Sequence, residues 1–223
     1  MECNVVPRLP FDCIKVRPYD LASTERSQAN KSPDPSACIG MAKDREGKFY
    51  IYGHYHKDTY DDVLQVYGQY CKRSGARDEQ IIKQAEFDGS ETFIVLPQDP
   101  AASGAAAFDH MAKMFTEAGF IVKKDPMPIN KSKLIKFTPF ASACELGLVH
   151  IVKSSFDKQT LDHIYKQLEM FNGERSSSTR HDEFPDLLGS GFNYLNKARV
   201  HRPMRQPTNN STTSLSEYKK TVR

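Results

Sequence analysis

Apolar residues fall into short blocks along this chain, and the spacing inside the blocks changes from strand-like to helical as the chain proceeds. Ile14 to Asp20 reads as a strand that ends on a carboxylate. Residues 23–35 are polar and rich in turn formers, which predicts a mobile loop beside Asp20. Ser36 to Ala42 reads as a second strand. Asp44-Arg45-Glu46-Gly47 is a hairpin signal, and Lys48 to His56 alternates with Phe49, Ile51, Gly53 and Tyr55 on one face. Three such strands in succession predict an antiparallel meander.

Helical spacing takes over next. Thr59 with Asp62 has the form of a capping box, and Val63, Val66, Tyr67 and Tyr70 share one face until Gly75. A short helix follows from about Arg77 to Ala85. Thr92 to Leu96 is a continuous apolar run of strand length, which predicts a buried central strand. Ala101 to Ala118 is an Ala-rich helix stopped by Gly119, and Phe120 to Lys123 a short strand. Lys133 to Leu146 is a helix closed by Gly147, followed by a strand from Leu148 to Lys153. Asp157 to Phe171 is amphipathic through Leu161, Ile164, Tyr165, Leu168 and Phe171, and a last helix runs from 182 to about 198. Strands first, then strands alternating with helices, predict an α/β mixed sheet flanked by helices, spanning 13–198. Pro7 and Pro10 break regularity in the lead-in, 1–12. Residues 199–223 are too polar to bury much, which predicts a disordered tail.

Composition narrows the class. A length of 223 residues fits one domain of this kind. The five cysteines, at 3, 13, 38, 71 and 144, include no CxxC pair, and the odd count favours free thiols in a reducing compartment. No apolar run approaches the ~18 residues of a membrane span, so the expectation is a soluble cytosolic protein. The net charge is +3. Most of the positive excess sits in the tail, where Arg199, Arg202, Arg205, Lys219, Lys220 and Arg223 face Glu217 alone, and the body is slightly acidic. A nucleic acid would therefore have to meet a local basic patch. No nucleotide-binding P-loop, G-x-G-x-x-G, G-x-S-x-G or zinc-spaced Cys/His set occurs.

Three carboxylates stand at predicted element ends: Asp20 after the first strand, Asp99 after the apolar run, and Asp182 at the last helix. Each alone reads as a turn residue or a helix cap. Brought together, hard oxygen donors without clustered Cys or His suit Mg²⁺ or Mn²⁺, and two such ions ~3.5–4 Å apart can drive phosphodiester hydrolysis. Glu183 and Asp186 either complete a second ion's ligands or make a solvated acidic helix start. His181 either orients a water or is a surface residue in a flexible link. His54 and His56 share a strand face and lack a third ligand, so they read as sheet-surface residues. The basic run Lys123, Lys124, Lys131, Lys133 and Lys136, opposed by Asp125 alone, is either where a phosphate backbone would sit or an ordinary solvated face.

Taken in order, these motifs resemble the C-terminal nuclease domain of the large terminase subunit of tailed bacteriophages. Tyr19-Asp20-Leu21-Ala22 with Pro33-Asp34-Pro35-Ser36-Ala37-Cys38 is similar to that family's first-strand aspartate, loop and second strand. Pro97-Gln98-Asp99-Pro100 with Ser103-Gly104 resembles its second acidic motif, and Lys133, Lys136, Pro139 and Gly147 its basic segment. His181-Asp182-Glu183-Phe184-Pro185-Asp186 resembles the closing acidic motif, with Glu183 where two adjacent Asp are usual. The resemblance implies a ribonuclease H-like fold and a metal-dependent endonuclease cutting concatemeric viral DNA during genome packaging, in the host cytoplasm at the procapsid. Asp20, Asp99 and Asp182 would be catalytic, assisted by Glu183 and Asp186, with Lys124, Lys131, Lys133 and Lys136 on double-stranded DNA. Implied partners are the portal protein and the small terminase subunit. The ATPase motor that precedes the domain in the family has no signature here, which implies a nuclease half made or excised separately. A resolvase or transposase of the same fold, and a non-catalytic DNA-docking module, are the competing readings.

Overall fold

The computed structural model describes residues 4–21, 28, 36–53, 76–97, 102–126, 132–174 and 182–198. Eight strands lie within them: β1 (Asn4–Val6), β2 (Ile14–Asp20), β3 (Ala37–Cys38), β4 (Gly40–Lys43), β5 (Phe49–Tyr52), β6 (Thr92–Leu96), β7 (Val122–Lys124) and β8 (Val149–Val152). The helices are α1 (Ala76–Asp88), α2 (Ala102–Glu117), α3 (Lys133–Glu145), α4 (Lys158–Met170) and α5 (Glu183–Lys197). The strand order is β1-β8-β5-β4-β2-β6-β7, with β3 paired to β2 off this path. The expected meander is present, since β2–β4 and β4–β5 pair antiparallel. The later strands join in parallel, β6 on β2, β7 on β6 and β8 on β5.

Local chemistry explains the turns. Asp44 Oδ1 accepts from the Glu46 and Lys48 amides, both at 2.9 Å, and the Tyr50 hydroxyl donates to Oδ2 at 2.8 Å. Gly47 then takes φ +86°, a left-handed geometry that glycine adopts without steric cost. Ser132 caps α3 by accepting from the Ile135 amide, and Asp157 caps α4 through the Thr160 amide.

The proline-broken lead-in holds more structure than its pattern predicts. Asn4–Val6 forms an edge strand parallel to β8, and Val6 packs beside Tyr50, Tyr52 and Val152. Three residues carry too little periodicity to announce a strand, and the partner lies more than 140 positions away. The helix expected from Thr59 to Gly75, His54, His56 and the tail lie outside the described residues. Among the described cysteines, Cys13, Cys38 and Cys144 are free thiols.

Alternation along the strands divides the core. Val16, Met41, Phe49, Ile51, Val149 and Ile151 face α3, α4 and α5, while Tyr19, Ile94 and Leu96 face α1 and α2. By the period of two, Pro18 and Asp20 share the face of Val16, under α5. Gly191 lets α5 lie close there: a Cβ would come within 2.6 Å of Met41 Sδ and 3.4 Å of Pro18 Cγ. Helix α5 is buried along much of its length, so its first turn is held firmly above the end of β2.

Candidate active site

Because β2, β6 and β7 run parallel, their carboxyl ends lie at one end of the sheet. That end is where open α/β sheets place ligands. Asp20 is the last residue of β2, paired with Ala37. Leu96 ends β6, and its carbonyl accepts from the Asp125 amide at 2.9 Å, which fixes Asp125 just past β7. The first turns of α3 and α5 bring Lys133, Lys136, Asp182, Glu183 and Asp186 to the same place.

Asp182 precedes α5 in the cap position but does not cap it: no backbone amide donates to its side chain. Capping is done from α4, where Gln167 Oε1 accepts from the Phe184 amide at 2.9 Å. The Asp182 carboxylate is thereby left for other work. Its Oδ1 accepts from Lys133 Nζ at 2.6 Å. Its Oδ2 is buried with no hydrogen-bond partner among the described residues, although the residue is 4% exposed. A buried carboxylate oxygen without a donor is costly, and a cation or donor reaching it would relieve that cost.

Asp20 lies in the same charged setting, within reach of Lys133. Burial, then the charges of Asp186 and Glu183, push its carboxyl up to about 7, against the opposing pull of Lys133 and Lys136. Even with two ammonium groups nearby, the site holds more negative charge than it neutralises. Glu183 is buried and held by Gln167 Nε2, which donates to Oε2 at 2.6 Å.

The expected basic run divides. Lys124 is exposed, its Nζ 4.9 Å from the Phe108 ring centre. The ammonium groups of Lys133 and Lys136 turn inward instead. Lys136 Nζ bridges Asp125 Oδ2 at 2.9 Å and Asp186 Oδ1 at 3.0 Å. Burial disfavours both ammonium ions, but the surrounding carboxylates outweigh it and leave both pKa values raised. Asp99, Lys131 and His181 lie outside the described residues.

Three contributors escape sequence reasoning. Asp125 reads there only as a lone acid in a lysine run, yet it accepts from Ser190 Oγ at 2.5 Å as well as from Lys136. Gln167 and Ser190 give no signal at all. Asp125 had one available clue, its place one residue past a strand that ends beside the others.

Among the described residues no three His, Cys, Asp or Glu side chains stand ready as a metal-ligand cluster. The donor chemistry nevertheless fits a hard cation. Asp182 offers a buried, unpartnered oxygen, and Asp20 lies in a field of excess negative charge that a cation relieves.

A search of curated proteins returns no match. Among solved structures, the fold is similar to a human cytomegalovirus terminase nuclease domain, Mn soaked and inhibitor bound. The TM-score is 0.50 at 10% identity, covering 82% of this chain and 83% of that one. This likeness supports a ribonuclease H-like fold, in agreement with the mixed sheet and its flanking helices. The family model described as the terminase RNaseH-like domain matches residues 17–197, from the buried Arg17 of β2 to the last residue of α5. That span contains every element of the acidic site, and the chain belongs to the terminase RNaseH-like domain family.

Proposed function

We propose that this terminase-type nuclease domain is a divalent-cation-dependent endonuclease that hydrolyses phosphodiester bonds of double-stranded viral DNA during genome packaging. The observation that carries the reading is the electrostatic state of the acidic site. Asp182 forgoes helix capping and keeps a buried oxygen unpartnered, while Asp20 is pushed up to about 7 by burial and its acidic neighbours. Purely structural acids would have found donors.

In this reading Asp20 and Asp182 hold Mg²⁺ or Mn²⁺, with Asp99 as the third ligand and Glu183 or Asp186 serving a second ion. Bound there, the ions supply Lewis acidity and a water of lowered pKa. The chain's own part is to fix the carboxylates before substrate arrives. Gln167 orients Glu183 and caps α5, and Lys136 with Ser190 ties Asp125 to α5. Lys124 and Lys131 meet the phosphate backbone outside the acids. The sequence shows no base-reading motif, so cutting by the isolated domain is expected to be indifferent to sequence. A bacteriophage origin, action in the host cytoplasm, and the portal protein and small terminase subunit as partners follow from the motif resemblance.

Nicking of supercoiled plasmid in Mn²⁺ tests this directly. Asp20→Asn and Asp182→Asn are each expected to lower the rate on the order of a thousandfold, with the far-UV spectrum unchanged. Full activity in both variants would remove the hydrolase reading and leave a DNA-docking module. A preference for branched DNA would favour a resolvase-type enzyme of the same fold.

A further inference from the structure

The two lysines inside the site are unlike each other, and the difference has a consequence for cation binding. Lys136 is fixed. Its side chain is 13% exposed, its ammonium is shared between Asp125 and Asp186, and its carbonyl accepts from Asn193 Nδ2 at 2.8 Å. Gly189 of α5 packs against its stem so closely that a Cβ would come within 3.0 Å of Lys136 Cγ. Lys133 is held at one point. Its ammonium reaches Asp182 Oδ1 at 2.6 Å, and 35% of its side chain is exposed on the first turn of α3.

We propose that Lys133 is an exchangeable counter-ion of the site: it neutralises Asp182 while the divalent cation is absent and leaves the carboxylate when that cation binds. Lys136, by contrast, is a permanent positioning residue that holds Asp186 and Asp125 in place in both states. The inference rests on the reading of the acids as a divalent-cation site and adds what sets that site's affinity. Asp182 has one oxygen taken by Lys133 and one buried oxygen with no partner among the described residues. A divalent ion drawn to the free oxygen is repelled at short range by an ammonium on the other. Lys133 has room to yield, because its exposed stem can swing the ammonium into water. Lys136 has none. The exchange balances charge locally, with two positive charges entering as one leaves, at a site already in negative excess.

Cation affinity is therefore set partly by Lys133, and its removal is expected to tighten binding, which loss of a merely structural residue would not do. Isothermal titration of the purified chain with Mn²⁺ alone, without DNA, compares wild type with Lys133→Met, Lys133→Gln and Lys136→Met. Both Lys133 variants are expected to bind about tenfold more tightly, the effect of removing one partly screened charge at contact distance. Lys136→Met is expected to bind no more tightly than wild type, because its acids lose their arrangement. Displacement itself is read on wild type by the ¹H–¹⁵N signals of lysine ammonium groups. The Lys133 signal, assigned by its loss in Lys133→Gln, is protected in chelator and exchanges into solvent at saturating Mg²⁺, while that of Lys136 persists. Unchanged Mn²⁺ affinity in both Lys133 variants, or a Lys133 signal still protected at saturating Mg²⁺, overturns the proposal. Absence of saturable Mn²⁺ binding in every form, wild type included, instead overturns the cation-site reading beneath it.

Discussion

Arg17 and Asp20 stand three residues apart on β2 and belong to two buried charge groups of opposite character. Arg17 faces α1, where its guanidinium meets both Asp88 oxygens: Nε donates to Oδ2, and Nη2 to Oδ1 at 2.7 Å. Gln84 adds a third donor to that carboxylate at 3.2 Å, and the Tyr52 ring centre lies 5.3 Å from the guanidinium carbon. Charge is matched and the fork geometry is used in full, the arrangement that makes a buried pair tolerable. Asp20 faces α5 among other acids, with two lysines that do not balance them, and Asp182, which shares Lys133 with it, keeps an oxygen unpartnered. The same strand thus carries a charge-matched ion pair on one face and, on the other, an acid group whose charge is left unfinished. Matched charge makes a buried pair tolerable, whereas unbalanced acids in a well-packed setting favour a cation.

The comparison breaks most visibly in Arg17→Met. Removing one partner leaves Asp88 buried and unpaired, and urea unfolding is expected to show a loss of about 3–5 kcal/mol. Nicking per folded molecule should persist, since Arg17 lies on the far face of the sheet from the acids. A comparable loss of stability in Asp182→Asn would mean that the two groups are alike after all.

Acidity sharpens the contrast on a smaller scale. In the unfolded chain an Asp titrates near 3.9, whereas folding pushes Asp20 up to about 7. Between those values the folded protein holds a proton that the unfolded chain has released. Stability from this group therefore falls as pH rises through the window, and the penalty is complete above about 7. In chelator, wild type is expected to lose more stability than Asp20→Asn between pH 5 and pH 8, a gap of at least about 3 °C in melting temperature. Parallel curves for the two proteins would refute the strained-acid account.

Much of the scaffold was legible in sequence because its signals are local. Thr92–Leu96 is a strand over the span its apolar run predicts, and the capped, periodic helices beginning at Lys133, Lys158 and Glu183 fall where expected. Helix α1 runs three residues past its predicted end, to Asp88, whose carboxylate Arg17 holds from 71 positions away. No local pattern encodes that partner, nor the parallel match of Asn4–Val6 to β8. At the site, sequence marked Asp20, Asp182, Glu183 and Asp186 as acids at element ends, and the fold brings them together with Lys133 and Lys136. It missed the direction of the lysines. Spacing of three places Lys133 and Lys136 on one helical face, but only the packing of α3 on α5 decides that this face looks onto acids rather than solvent. The role of Asp125 was hidden for the same reason, since its partners come from α3 and α5.

The central claim is that the unfinished charge group is a cation site, and thermal unfolding at pH 8 with increasing Mn²⁺ tests it without requiring turnover. Wild type is expected to melt about 5 °C higher or more at a hundredfold excess over the dissociation constant, with Asp182→Asn nearly insensitive. A wild-type melting temperature indifferent to Mn²⁺, or an equal rise in Asp182→Asn, would contradict the account.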